Sequence, residues 1–432
     1  MKTFTVITLG CKVNYYDSEA VIKLLSDAGY KFVDAGESAD IYIINTCSVT
    51  NLSDRKSRQM LHRARKKNKN ALIIAMGCYA QVSATKISSD ADIIIGTNNR
   101  KDILILIEKF FEQKSFGQKF HETKIFDVRN ENIFEEMQIS DSNNRVRSFI
   151  KIQDGCDEFC SYCIIPYTRG KSRSRNFYKI FEQAQKLCTN GFKEIVLTGI
   201  NISAYGENSD FDLGYVIEKL HSIKNLKRIR LSSVEPNLIN DEFLAKIKFL
   251  PKLCPHFHMS LQSGSDKILR AMNRKYTTHE YFIAAEKLKK MFKNVSLTTD
   301  VIVGFPGETD KDFLDTCNFI EQIGFSKIHV FPFSSRANTR ADNFTNKIDG
   351  STKKFRSAKL ISLSDKLSTQ YIKKFLTQNL SVLVEKKLND EYIGYTDNYI
   401  KVSLKSDCDL INQIVDVTII DVDKNCAIGK FL

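Results

Sequence analysis

From residue 4 to residue 331, short β-rich runs alternate with stretches whose apolar residues recur at helical spacing. That alternation constrains the chain most, because it implies parallel strands joined by crossover helices, with both sheet faces covered. In the first part, 4–9, 41–44, 71–75 and 91–95 read as strands, with helical patterns at 18–28, 53–67 and 103–111. The pattern restarts near 148, with strands expected at 149–153, 194–198, 228–232, 256–261, 297–303 and 327–331. Six parallel strands are too few for a closed eight-stranded barrel, so an open or partial (β/α) barrel is expected. From about 375 the texture changes to the alternation of a small antiparallel barrel. The expected fold class is therefore α/β in four segments. These are an N-terminal parallel-sheet domain (1–112), a polar linker with one edge strand (113–147, clearest at 141–145), a central partial barrel (148–374) and a small antiparallel β-barrel (375–432).

Cysteines sit where such sheets place their chemistry. Cys156, Cys160 and Cys163 form a C-x3-C-x2-C run directly after the first strand of the second series. They fall on a loop at the carboxyl edge, where open α/β sheets and barrels bind ligands. Three thiolates at this spacing can hold three irons of a four-iron cluster and leave the fourth open. S-adenosylmethionine can chelate an open iron, and an electron passed into its sulfonium yields a 5′-deoxyadenosyl radical. Zinc sites usually pair two C-x2-C units, and no second pair exists here. Cys11, Cys47 and Cys78 each follow one of the first three predicted strands, so folding brings them to one sheet edge. Free cysteine also serves as a small buried hydrophobe, so position alone leaves two readings of this second triad open. Cys188, Cys254, Cys317, Cys408 and Cys426 share no spacing and read as incidental thiols.

The formal net charge of +13 points to an acidic partner such as a phosphate backbone. Eleven cysteines without an export signal argue for metal or redox chemistry rather than disulfides. Only 4–9 precedes Cys11 as an apolar stretch, shorter than the roughly 7–15 residues of a signal-peptide core. No apolar run approaches the ~18 residues of a membrane span, so a cytoplasmic protein is expected.

The six cysteines and their surroundings resemble the methylthiotransferase family of radical-SAM enzymes, over essentially the whole chain. Leu9-Gly10-Cys11-Lys12-Val13-Asn14, Ile44-Asn45-Thr46-Cys47-Ser48-Val49-Thr50 and Gly77-Cys78-Tyr79-Ala80 resemble its auxiliary-cluster motifs. Gln153-Asp154-Gly155-Cys156 through Cys163, with Ile165-Pro166-Tyr167 and Arg169-Gly170, resembles its radical-SAM core. The C-terminal segment resembles the TRAM domain, a small RNA-binding barrel. The Gly-Cys-Lys-Val-Asn form of the first motif is similar to the branch acting on threonylcarbamoyl-adenosine beside the tRNA anticodon. Sister branches act on isopentenyl-adenosine or on a ribosomal-protein aspartate, and an iron–sulfur or zinc RNA-binding module without catalysis is the non-enzyme alternative.

The resemblance implies two [4Fe-4S] clusters, S-adenosylmethionine as cosubstrate, tRNA as partner, an electron donor and a sulfur source. One cluster, on Cys156, Cys160 and Cys163, would bind S-adenosylmethionine. The other, on Cys11, Cys47 and Cys78, would carry the sulfur to be methylated and transferred to C2 of the adenine. Tyr162 is expected to pack on the cosubstrate adenine, Glu235 to accept ribose hydroxyls and Gln262 to meet the methionine part. Gly304 and Gly307 would let backbone approach the ligand. Arg169, Lys171, Arg173 and Arg175 beside the cluster loop are expected to contact RNA. So are Lys386, Lys387, Lys401 and Lys405 among Tyr392, Tyr395 and Tyr399. The cations at 63–69 suit a helix C-terminus whatever the partner.

Overall fold

A computed structural model describes residues 1–118, 120–139, 146–207, 209 and 211–431. They form two compact units. Unit 1 comprises Met1–Asn143, Gln153–Arg175 and Ser334–Asp342; unit 2 comprises Asn144–Ile152, Asn176–Phe333 and Asn343–Leu432.

Unit 1 is built on a parallel sheet of β1 (Thr3–Thr8), β2 (Lys31–Phe32), β3 (Ile41–Thr46), β4 (Leu72–Gly77), β5 (Ile93–Ile95) and β6 (Glu122–Lys124). The spatial order is β2-β1-β3-β4-β5-β6. Every residue of β3 and β4 is buried, as a sheet covered on both faces requires. The helices are α1 (Lys12–Asp27), α2 (Asn51–Lys67), α3 (Cys78–Ile87) and α4 (Ile103–Ser115). Thr50 caps α2 by accepting from the Ser53 N–H, and Arg65, Lys66 and Lys67 occupy its last turn. α1 starts earlier than its apolar periodicity suggests, because its first turns bury the polar Asn14, Asp17 and Ser18.

The stretch expected to be a linker is built into unit 1. It extends α4, adds β6 as the edge strand beside β5, and sends Glu135 to Arg100 and Glu136 to Arg175. Residues 141–145, the clearest linker signal, lie outside the described residues. After β7 (Arg147–Lys151), a strand of unit 2, the chain returns to unit 1 as β8 (Gln153–Asp154) and β9 (Arg173–Ser174). This antiparallel pair brackets the loop of Cys156, Cys160 and Cys163 and the short helix α5 (Ile165–Arg169).

Unit 2 carries the second βα series. β7, β10 (Glu194–Thr198) and β11 (Arg228–Leu231) make one parallel sheet. β12 (Ser233–Val234), β13 (His256–Met259), β14 (Ser296–Val303) and β15 (Lys327–Pro332) make another. β11 and β12 are one strand interrupted at Ser232, so six strand positions form the partial barrel. The C-terminal strands β16 (Asn379–Leu388), β17 (Glu391–Thr396), β18 (Lys401–Lys405), β19 (Ile414–Asp423) and β20 (Cys426–Phe431) close a five-stranded barrel. Its β18–β20 pairing is parallel, so the barrel is mixed rather than wholly antiparallel.

A buried ion cluster occupies the amino end of the first barrel strands. Glu194 meets Arg230 at 2.6 Å, with Arg228 and Arg147 each at 3.7 Å. The same arginines reach the small barrel: Arg228 donates to the Tyr395 and Ser381 carbonyls, and Arg230 to that of Asp397. Burial pushes the Glu194 carboxyl up, but Arg230, Arg147 and Arg228 outweigh it and hold the group below its usual range. Removing one member of such a cluster strands the others without a partner, at about 3–5 kcal/mol. Glu194→Ala is therefore expected to lower the thermal unfolding midpoint followed by circular dichroism. Because the folded-state pKa is depressed, the stabilisation is present above the ordinary carboxyl value of about 4.3 and lost as pH falls through the lower folded value. The gap between wild type and variant should narrow on acidification, and a pH-independent gap would contradict the assignment.

Candidate cluster and cosubstrate site

The three cysteines of the first triad sit at one sheet edge. Cys11 caps α1, Cys47 directly follows β3, and Cys78 opens α3. Since β1, β3 and β4 are neighbours about 4.8 Å apart, their three carboxyl-end loops span only about 10 Å.

Two glycines let the loops close. Gly10 has φ +99°, and a Cβ there would lie 2.8 Å from Cys47 Sγ. Gly77 has φ +94°, and its Cβ would lie 2.4 Å from Asn45 Oδ1. Polar side chains of the same motifs then stitch the loops together. Asn14 Nδ2 donates to the Leu9 and Thr46 carbonyls at 2.7 and 3.0 Å. Asn45 Nδ2 donates to the Asn14 carbonyl, and Thr46 Oγ1 donates to the Met76 carbonyl while accepting from the Ala80 N–H.

Burial pushes the Cys47 thiol up to about 11, and the neighbouring Cys78 and Cys11 add to the shift. Cys11 is exposed at its surface, yet crowding around its sulfur also raises its pKa; the nearby Arg169 charge works against this. Burial and mutual repulsion disfavour the thiolate at Cys47 and Cys11, so a cation beside them would be needed to hold them deprotonated.

Cys156, Cys160 and Cys163 are half-buried on a loop that begins at Gly155. A Cβ on Gly155, at φ +75°, would meet the Lys171 carbonyl oxygen at 1.8 Å, so only glycine fits. The Cys156 N–H donates to the Gly170 carbonyl and the Cys163 N–H to that of Cys160. Among the described residues, neither triad gathers its three sulfurs within 4.8 Å of one another. Three thiolates on one zinc ion would lie about 3.8 Å apart, given Zn–S bonds of about 2.3 Å. A four-iron cluster spaces its ligand sulfurs more widely, because each binds a different iron. Neither triad is therefore gathered at the spacing of a single zinc ion.

Arg169 and Arg336 were not legible as parts of this site. Arg169, expected on the RNA surface, is 1% exposed. It donates to Asp154 at 3.0 Å, to Asn14 Oδ1 at 2.7 Å and to Asp17 at 3.2 Å, and Asp17 also pairs with Arg100 at 2.8 Å. Burial opposes its charge, while Asp154, Cys78, Asp17 and Cys11 outweigh that and raise its pKa. Arg336 reaches Ser48 and Asp54 at 2.7 Å and Asn51 at 2.7 Å, and so fixes the loop after Cys47.

Arg173 and Arg175 also correct the expectation of RNA contact. Arg173 donates to the Arg169 and Lys171 carbonyls, and Arg175 is bound by Glu136. Both are buried; in this run only Lys171 stays exposed. Buried guanidinium groups turned onto internal oxygens do not present a phosphate-binding surface as exposed cations would.

The remaining expected cosubstrate residues divide between the two units. In unit 1, Tyr162 is half-buried, between Cys160 and Cys163 in the chain. In unit 2, Glu235 follows β12 and is held by Arg274. Gln262 adopts φ +67°, a strained left-handed backbone, and its carbonyl accepts from the Ile302 N–H. The Gly304 N–H is committed to Glu308 Oε2 at 2.7 Å, and a Cβ there would meet Lys353 Cγ at 2.1 Å. Gly304 thus packs closely against the Lys353 side chain. Gly307, at φ +83°, has open space where a Cβ would stand.

On the small barrel, Lys386, Lys387, Lys401 and Lys405 are exposed. Its tyrosines depart from the expected base-stacking role. Tyr392 is buried, and Tyr395 and Tyr399 stack on each other at 5.0 Å, with His256 on Tyr399 at 4.5 Å. A groove of about 780 Å³ does run along the barrel between Lys401, Lys405 and Lys430, beside the exposed Ile420 and Phe431. No helix is long and apolar enough to cross a membrane among the described residues.

Residues 150–320 match the radical SAM superfamily, and residues 3–96 match "Uncharacterized protein family UPF0004". The chain is 40% identical to threonylcarbamoyladenosine tRNA methylthiotransferase MtaB of Bacillus subtilis, covering 100% of this chain and 97% of that protein. It is 36% identical to the protein of that name from Aquifex aeolicus, covering 91% and 95%. It is 34% identical to tRNA-2-methylthio-N(6)-dimethylallyladenosine synthase of Thermoanaerobacter pseudethanolicus, covering 96% and 90%. Among solved structures, the radical S-adenosylmethionine methyltransferase TsrM of Kitasatospora setae shares the fold, with a TM-score of 0.54 at 12% identity over 77% of this chain and 75% of that one. The sheet-edge thiols, the cysteine loop and full-length likeness at 34–40% identity agree: this chain belongs to the radical-SAM methylthiotransferase family.

Proposed function

We propose that this enzyme adds a methylthio group to C2 of N6-threonylcarbamoyladenosine next to the tRNA anticodon, using two [4Fe-4S] clusters and S-adenosylmethionine. The convergence of Cys11, Cys47 and Cys78 at one sheet edge carries the reading, since a radical-SAM enzyme needs only the other triad to make its radical. When bound, the clusters supply an electron to the S-adenosylmethionine sulfonium and a sulfur for transfer. The adenine C2–H is inert to acid–base chemistry, which is why a radical is required.

The chain's own residues do the rest. Cys156, Cys160 and Cys163 hold one cluster and leave one iron for the cosubstrate. Cys11, Cys47 and Cys78 hold the other, with Asn14, Asn45 and Thr46 fixing their loops. Arg169 places a permanent cation beside Cys11 and Cys78 and offsets thiolate charge. Tyr162 offers an aromatic face, and Glu235 and Gln262 offer acceptors and donors, to S-adenosylmethionine. Lys171, Lys386, Lys387 and Lys401 supply exposed cations for tRNA, working in a cytoplasmic protein. The 40% identical relative's name favours the threonylcarbamoyl substrate over dimethylallyladenosine.

Three outcomes test the proposal. Anaerobically reconstituted enzyme should hold about eight irons per chain, and Cys47→Ala about four, with methylthiolation abolished. Full activity in that variant would remove the auxiliary cluster from the reaction. tRNA affinity should fall steeply with salt, and each of Lys386→Ala, Lys387→Ala and Lys401→Ala should reduce the log–log salt slope by about 1. A flat response would argue for a substrate other than nucleic acid. Nucleoside mass spectrometry of tRNA from cells lacking the enzyme should show unthiolated threonylcarbamoyladenosine accumulating. Accumulation of unthiolated dimethylallyladenosine instead would assign the chain the other substrate.

A further inference from the structure

Unit 2 holds a second cluster of ligating side chains that the methylthiolation reading does not use. His258 on β13, Asp300 on β14 and His329 on β15 bring one ligand atom each within 4.8 Å of one another. The three strands are adjacent and parallel, with Asp300 opposite His329 and Thr298 opposite His258. Strand alternation puts all three on one face of the sheet. The opposite face is the helix-covered one: Phe257 packs on Phe292, Val301 and Val303 are fully buried, and the Ile328 N–H donates to Ser364 of the helix Gly350–Lys373. The trio therefore lies on the inner face of the partial barrel.

We propose that His258, Asp300 and His329 form a divalent-cation site on that inner face. Two imidazoles and a carboxylate suit manganese, iron(II) or zinc, and three protein ligands leave coordination positions for water or an oxygen-bearing ligand. His258 Nε2 stands 3.4 Å from Asp300 Oδ2. Ligands about 2.1 Å from one ion lie about 3.0–3.4 Å apart, so this pair is already at ligand spacing.

The outer contacts are of the kind that orient metal ligands. The other nitrogen of His258, Nδ1, meets Thr298 Oγ1 at 3.0 Å, and the same hydroxyl meets His256 Nε2 at 3.0 Å. His256 is in turn stacked on Tyr399. A metal-bound imidazole ordinarily has its second nitrogen hydrogen-bonded in this way, which fixes its tautomer and ring plane. Access is open, since the Asp300 side chain is 31% exposed and His329 is exposed.

Manganese(II) is the suitable probe, because it favours nitrogen and oxygen donors over the thiolates elsewhere in the chain. Holoenzyme with both clusters assembled is titrated anaerobically with Mn²⁺ and followed by electron paramagnetic resonance, with no tRNA present. The expected result is one bound equivalent whose pulsed spectrum shows imidazole nitrogen coupling. His329→Ala and Asp300→Asn should abolish that binding, and Thr298→Val should weaken it about 10–100-fold. Cluster absorbance should stay unchanged in all three, which shows that the fold survives. Absence of stoichiometric binding, or binding unaltered in both His329→Ala and Asp300→Asn, would overturn the assignment. Neither result depends on which nucleoside the enzyme modifies.

Discussion

The Arg169 guanidinium is the interaction on which unit 1 depends. It is almost fully removed from water, and burying such a charge costs several kcal/mol unless partners surround it. Here Asp154, Asp17 and the Asn14 amide do so, and they come from two separate places in the chain. Asp154 immediately precedes the loop of Cys156, while Asn14 and Asp17 lie in the first turns after Cys11. A single side chain thus fixes the backbone leading into one thiol triad relative to the backbone leaving the other. Its charge also lies among groups that would otherwise repel, since Cys78 and Cys11 both raise its pKa. Lysine could not replace it, because only a planar fork reaches two carboxylates and an amide at once.

Eight arginines carry buried positive charge, whereas the lysines of the small barrel carry exposed charge. Arg100, Arg169, Arg173, Arg175, Arg228, Arg230, Arg336 and Arg356 are all buried and engaged with carboxylates or carbonyls. Their charge is neutralised locally and adds little to the field outside. The lysines of the small barrel are exposed, and the formal excess of +13 is expressed through side chains of that kind. The basic run at 169–175 shows why sequence adjacency misleads: alternating arginines look like a phosphate-binding strip, yet strand β9 turns Arg173 and Arg175 inward.

Elements with strong local periodicity were legible in the sequence, and features made by distant pairs were not. All six strand positions of the partial barrel fall within a few residues of the runs expected for them, because each carries apolar residues on its helix-covered face. The three cysteines of the first triad were legible for the same reason, since strand ends fix the sheet edge. The role of residues 113–139 was hidden because Glu135 and Glu136 find their partners only in the folded unit. α3 escaped notice, being short and interrupted by non-helical geometry at Ser83. The barrel tyrosines looked free to stack bases because nothing local reveals that His256, Arg147 and Arg230 pack on Tyr399.

The roles of the motif residues around the thiols follow from sheet topology. Asn14 bonds the carbonyls that end β1 and β3, and Thr46 bonds across from β3 to β4. The Asn14–Thr46 and Thr46–Met76 bonds exist because β1, β3 and β4 are consecutive neighbours in the sheet. The segments between the three cysteines can therefore vary in length, since loops and helices absorb insertions at little cost. The strand order and the glycine beside each of Cys11 and Cys78 cannot vary, because any side chain at Gly10 would collide with Cys47 and any at Gly77 with Asn45. A site assembled this way is fixed by adjacency of strands, which explains how thiols more than thirty residues apart reach one sheet edge.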